Sequence, residues 1–179
     1  SADSLVLLMN NYLSYNQAWA YGAAGILIRR SEANIFVERN ILFRNFAPTY
    51  PYGYSDHFVF GAGGIKVEED DPVLRFNQFI NNIDAQGHNG AVAIRSGGSA
   101  LAVASAASPI LQYNTFVGNE ARPNPSENLN RPLPGHTIFS HGGFDFTHNN
   151  ILGNEGTYEL YLSNYDNQRE DVKAQHNYW

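Results

Sequence analysis

The chain of 179 residues contains no cysteine. That excludes a disulfide scaffold, a thiolate metal site, an iron–sulfur cluster and a thiol nucleophile. Lysine is almost missing too. Lys66 and Lys173 are the only two, and 17 acidic against 11 basic residues leave a formal charge of −6. Such a chain cannot neutralise a row of phosphates, so neither nucleic acid nor an anionic membrane is an expected partner. The apolar run near the start, Leu5 to Met9, has five residues and no basic flank. It is too short for a signal-peptide core or a membrane span. Helical periodicity is also missing, apart from an ambiguous Ala-rich stretch between Ser99 and Ala107. With 43% hydrophobic residues, the chain can still bury a core.

Asparagine is in excess, with 21 residues beside 16 glycines. The asparagines are ordered in pairs five apart with an apolar residue two after the first: Asn11–Leu13–Asn16, Asn40–Leu42–Asn45, Asn77–Phe79–Asn82, Asn114–Phe116–Asn119 and Asn149–Ile151–Asn154. A truncated copy begins at Asn177. Successive first members lie 29, 37, 37, 35 and 28 residues apart, a period that belongs to stacked repeats.

Five and three residues before each first Asn stand Val6/Leu8, Ile35/Val37, Pro72/Leu74, Pro109/Leu111, Phe144/Phe146 and Val172/Ala174. This period of two marks a strand with one buried face. Further upstream a second strand starts on small residues, as in Ala24 to Ile28, Gly63 to Val67 and Gly90 to Ile94. Thr137 to Phe139 and Glu159 to Leu162 are weaker members. One such coil cannot bury its own apolar face, but stacked coils can, each strand pairing in parallel with its equivalent. Asn11, Asn40, Asn77, Asn114, Asn149 and Asn177 then form a structural ladder at one corner. The expectation is that Asn adopts the left-handed backbone of the turn while its amide bonds its neighbours above and below.

On these residues the chain resembles the right-handed parallel β-helix of the pectin-lyase-like superfamily, all-β, with about five to six coils in one domain spanning 1–179. Gly63, Gly64 and Ile65 with Phe79 to Asn82 and Phe116 to Asn119 are also similar to the Gly-Gly-Ile and Phe-x-x-Asn repeats of bacterial anchored surface proteins. Asn177 to Trp179 is similar to the turn that ends coils there. The resemblance implies an extracellular, cell-surface or periplasmic protein. It does not carry the family's best-known activities across. Asp70–Asp71 is the only adjacent aspartate pair, Gly87–His88–Asn89 and Gly135–His136–Thr137 break the Gly-His-Gly pattern, and Arg-Ile-Lys is absent. The leading expectation is therefore a non-catalytic module for adhesion, glycan or protein binding, or assembly. The alternatives are a polysaccharide lyase or glycoside hydrolase and a structural subunit of a larger complex or filament.

Aligned coils turn the sequence into columns. Met9, Glu38, Arg75, Gln112, Thr147 and Gln175 face outward, with a cross-strand ion pair expected between Glu38 and Arg75. Leu7, Phe36, Val73 and Ile110 form an apolar outward column, followed by Asp145 and Lys173; either a loop or a protein partner covers it. Arg29, Glu68, Arg95, His141 and Ser163 form a third column. It is read either as a charge ladder or as a sugar-acid groove with Arg29 and Arg95 as carboxylate clamps, and Arg29, Glu68, Arg95 and His141 are the residues the enzyme alternative would use.

Insertions at 46–62 and 120–135 fall at one corner. Tyr50, Tyr52, Tyr54 and His57, beside Phe58 on a Pro-stiffened loop, suit glycan or protein recognition, or else pack back on the apolar column. Glu68, Glu69, Asp70 and Asp71 are the one dense acid group. They would either hold Ca2+ or stay a solvated turn balanced by Arg29, Arg30 and Arg95; no other cofactor is expected. His148 and His176 share a position with Phe76 and Tyr113, which reads as a stacked aromatic column and not as a metal centre. The chain opens on Ser1 and stops on Trp179 part-way through a repeat, with no amphipathic capping helix. The expectation is a portion of a longer product, or coil ends covered by self-association.

Overall fold

A computed structural model of the chain describes residues 4–18, 23–29, 31, 33–47, 62–68, 70–84, 92–95, 109–121, 136–140, 144–155, 158–162 and 173–179. Among them there is no helix and every strand pairing is parallel. The strands are numbered along the chain. The first sheet stacks β1 (Leu5–Met9), β4 (Asn34–Glu38), β8 (Val73–Arg75), β12 (Ile110–Gln112) and β16 (Asp145–Thr147) in that order. The second stacks β2 (Tyr12–Ser14), β5 (Ile41–Phe43), β9 (Gln78–Ile80), β13 (Thr115–Val117) and β17 (Asn150–Leu152).

A third, narrow sheet holds β6 (Phe46–Ala47), β10 (Ile83–Asp84) and β14 (Glu120–Ala121). The fourth stacks β3 (Ile26–Arg29), β7 (Ile65–Glu68), β11 (Val92–Arg95), β15 (His136–Ser140) and β18 (Tyr158–Leu162). The chain visits the sheets in the same order on each pass. The third sheet follows the second Asn of the three middle pairs, so β6 and β14 occupy the starts of the segments 46–62 and 120–135, which are expected wholly as insertions. Two residues are too few to show a period of two.

Three-residue strands explain the burial. The central residue of each faces inward and its neighbours face out, so Leu42, Leu74, Phe79, Leu111, Phe116 and Phe146 are fully buried. Phe79 and Phe116 stack with centroids 4.7 Å apart and planes 5° apart, because register puts Phe116 beside Phe79. The fourth sheet contributes Ile28, Ile65, Val67 and Ile138 to the same core. In the outermost pass the inward position is uncovered: Val6 is 45% exposed although its register partner Ile35 is buried. The fourth-sheet strands start on small residues for a steric reason. A Cβ on Gly25 would stand 2.5 Å from the Gly64 carbonyl oxygen and 2.7 Å from Leu42 Cδ2.

Candidate functional site

Both asparagines of each pair build ladders. In the first, the Nδ2 of Asn11, Asn40, Asn77, Asn114 and Asn149 each donates to the Oδ1 of the next, at 2.9–3.1 Å, ending on Asn177. The second runs Asn16, Asn45, Asn82, Asn119, Asn154 in the same way. The backbone N–H of each donor Asn also reaches the same Oδ1, as Asn40 does to Asn77 at 3.0 Å. Interior amides donate their second proton backwards, as Asn77 Nδ2 does to the Val37 carbonyl at 2.7 Å. Asn77 and Asn114 therefore satisfy both amide protons and both acceptor sites while fully buried.

The left-handed backbone lies elsewhere than expected. Positive φ occurs at the residue before each ladder Asn: Asn10, Arg39, Phe76, Tyr113, His148 and His176 at one corner. At the other it occurs at Tyr15, Arg44, Asn81, Gly118 and Gly153. The ladder asparagines are kept for their amides, because only a carboxamide both donates along the stack and accepts from it. Asn81, Gly118 and Gly153 were the legible signal for the turn, since Asn and Gly occupy αL at little cost.

From Arg39 onward the first corner uses bulky residues, at roughly 1–2 kcal/mol each in this conformation. Their side chains form one exposed file. The Arg39 guanidinium lies 5.7 Å over the Phe76 ring. Phe76 stacks on Tyr113 at 5.2 Å, Tyr113 on His148 at 5.0 Å and His148 on His176 at 5.0 Å. Each ring contact is worth about 0.5–1.5 kcal/mol, which offsets part of the backbone cost. Phe76 and Tyr113 remain 46% and 48% exposed.

Of the other expected site residues, Arg29, Glu68 and Arg95 are brought into register on adjacent strands, with Arg29 exposed. His141, Tyr50, Tyr52, Tyr54, His57 and Glu69 lie outside the described residues. The acidic turn is not wholly solvated. Asp70 is only 7% exposed, and both its carboxylate oxygens accept the Ser31 N–H, at 2.9 and 3.0 Å. A buried carboxylate needs such donors, and the preceding pass supplies one. No three His, Cys, Asp or Glu side chains converge among the described residues.

The apolar column is in register from Leu7 through Phe36 and Val73 to Ile110. Leu7 is exposed and the others half-buried. Phe36 and Val73 line a groove of about 310 Å³ that Asp70 and Asp71 border. Asp145, next in the column, pairs with Lys173 at 3.9 Å. The expected Glu38–Arg75 ion pair is not formed. The two residues are register partners, yet no carboxylate–guanidinium contact within 4.0 Å joins them, and Arg75 Nε is buried without a hydrogen-bond partner. Lys66, on the outward side of β7 between the inward Ile65 and Val67, is nonetheless only 1% exposed.

No family model, curated protein or solved structure matches this chain. No helix among the described residues is long and apolar enough to cross a membrane.

Proposed function

We propose that this chain is a right-handed parallel β-helix of five to six coils, pectin-lyase-like in architecture, acting as a non-catalytic extracellular, cell-surface or periplasmic module for binding, adhesion or assembly. One observation carries the reading. Two unbroken asparagine ladders devote the most regular polar groups of every pass to holding the stack, while a continuous file of aromatic side chains is turned outward on it. Ladder amides do not titrate and so supply no general acid or base, whereas a rigid outer wall carrying exposed rings suits contact.

The register of Arg29, Glu68 and Arg95 favours a second reading, a polysaccharide lyase or hydrolase that uses those residues together with His141. A screen of acidic and neutral polysaccharides, with and without Ca2+, separates the two. The binding module retains polymer, cells or partner protein without cleaving anything. Release of oligosaccharides, lost on replacing Arg29 or Arg95, overturns it in favour of the enzyme.

A further inference from the structure

We propose that the exposed corner file of Phe76, Tyr113, His148 and His176, with Arg39 at its end, is a binding site for a linear, uncharged polysaccharide lying along the stacking axis. The proposal rests on the reading of the chain as a binding module and locates the site.

The backbone supplies the first argument. The two corners share one geometry, with φ between 51° and 62° at Arg39, Phe76, Tyr113 and His148 on one side and at Arg44, Asn81, Gly118 and Gly153 on the other. Along the stack the second corner opens on Tyr15 and Arg44 and then passes to Asn and Gly, which fit that conformation. The first opens on Asn10 and then keeps large side chains to the last pass. Strain and exposure of large rings coincide at the same positions, and that coincidence marks function more than packing.

The shape of the file comes next. Centroid separations of 5.0–5.2 Å follow the spacing of the strands and exceed ring-face contact, about 3.5–4.0 Å. The rings are tilted by 9–27° to one another, so they present a row of edges to solvent with gaps between successive faces. The steps repeat in a straight row, which suits an extended polymer with apolar C–H faces.

The flanks select the ligand. On the first sheet the file is bordered by Gln112 and Thr147, which are register partners, and then by Gln175. On the second it is bordered by Gln78, Thr115 and Asn150, likewise in register. These are amides and hydroxyls that both donate and accept, as sugar hydroxyls require. Among the described residues, the charged ones beside the file, Glu38, Arg39 and Arg75, gather at one end and form no row of cations for a polyanion. An extended peptide would need an open strand edge for backbone pairing, and here the flanking strands β8, β9, β12 and β13 are each paired on both sides.

The test uses the triple variant F76N/Y113N/H148N. Asparagine accepts the left-handed backbone, so circular dichroism and a melting temperature at or above that of the parent establish that the variant is folded. Retention is measured by pull-down on microcrystalline cellulose and chitin and by affinity electrophoresis in soluble β-glucan and mannan, with polygalacturonate as the charged probe. The expected result is retention on at least one uncharged polymer, insensitive to salt and at least tenfold weaker in the triple variant. A second variant, Q78A/Q112A, leaves the rings in place and is expected to weaken retention several-fold, independently of how the first variant folds.

Retention on no uncharged polymer, or unchanged retention in a folded triple variant, overturns the proposal, as does binding confined to polygalacturonate and abolished by salt. If one of these results is found while the parent still adheres to cells or partner protein, only this site is refuted and the module reading stands. If the parent cleaves polymer, the underlying module reading fails instead.

Discussion

Replacing Asn77 by alanine tests the ladder most directly. The Asn77 Oδ1 accepts from the Asn40 backbone N–H and from Asn40 Nδ2, both at 3.0 Å. Its Nδ2 donates to the Val37 carbonyl at 2.7 Å and to Asn114 Oδ1 at 3.1 Å. Truncation therefore leaves an N–H and an amide proton of Asn40 without an acceptor and removes a donor from Val37, all beside a fully buried position. Three orphaned groups at about 1–3 kcal/mol each sum to roughly 3–9 kcal/mol. Relaxation, or a water entering the vacated space, brings the expectation to about 3–5 kcal/mol.

The terminal rung is the internal control. Asn11 is exposed and its side chain makes two hydrogen bonds, to Met9 O and Asn40 Oδ1. Asn11→Ala should cost only about 0.5–1.5 kcal/mol, since water replaces what is lost. Urea unfolding followed by circular dichroism gives both values from the midpoints, provided the slope is unchanged. Equal shifts for the two variants, or an Asn77→Ala shift under about 1 kcal/mol, would refute the claim that buried amide saturation holds the stack.

Asn114→Asp keeps the shape but loses the donors to the Leu74 carbonyl and Asn149 Oδ1. Burial, with one carboxylate oxygen facing the Leu74 carbonyl and Asn149 Oδ1 and only the other facing the Asn77 donors, raises the folded-state pKa of the new carboxyl above the unfolded value of roughly 3.9. Stability is therefore highest at acid pH and falls as pH rises above that value; midpoints that improve from pH 4 to 7 would contradict this. Gly118→Ala should cost more than Gly153→Ala. Both have positive φ, but a Cβ at Gly118 would run into Asn81 Oδ1 while the space around Gly153 is empty within 4 Å. The difference in unfolding midpoint isolates the close approach from the shared backbone cost of about 1–2 kcal/mol. Phe116→Ala removes a fully buried ring stacked on Phe79 and should cost about 3–5 kcal/mol by the same measurement; a loss below 1 kcal/mol would mean that the core is loosely packed.

Much of the fold is legible because each pass repeats the same local requirement. An inward residue between two outward ones, a small residue where passes approach, and an amide at the corner recur at Leu74, Gly25 and Asn77 with the same justification each time. The left-handed positions were harder to read, because Asn10–Asn11 and Asn81–Asn82 put two asparagines side by side and composition does not say which one turns. The two-residue strands of the third sheet carry no periodicity. For the candidate site, sequence spacing puts Phe76, Tyr113, His148 and His176 in one column, but does not give how far they stay exposed.

The asparagine spacing alone determined that passes stack in parallel and which residues meet across them, because a ladder of amides closes only when equivalent positions coincide. Tertiary structure alone decided which outward residues are truly outside. Asp70 is buried, and Ser31, 39 residues away, brings its N–H to the carboxylate. Lys66 is covered although its alternation points it outward, and Phe76 stays 46% exposed although phenylalanines fill much of the core. Alternation along a strand sets the side of the sheet a residue faces. Burial depends on what the rest of the chain lays over that side, and this is a property of distant segments that no local pattern encodes.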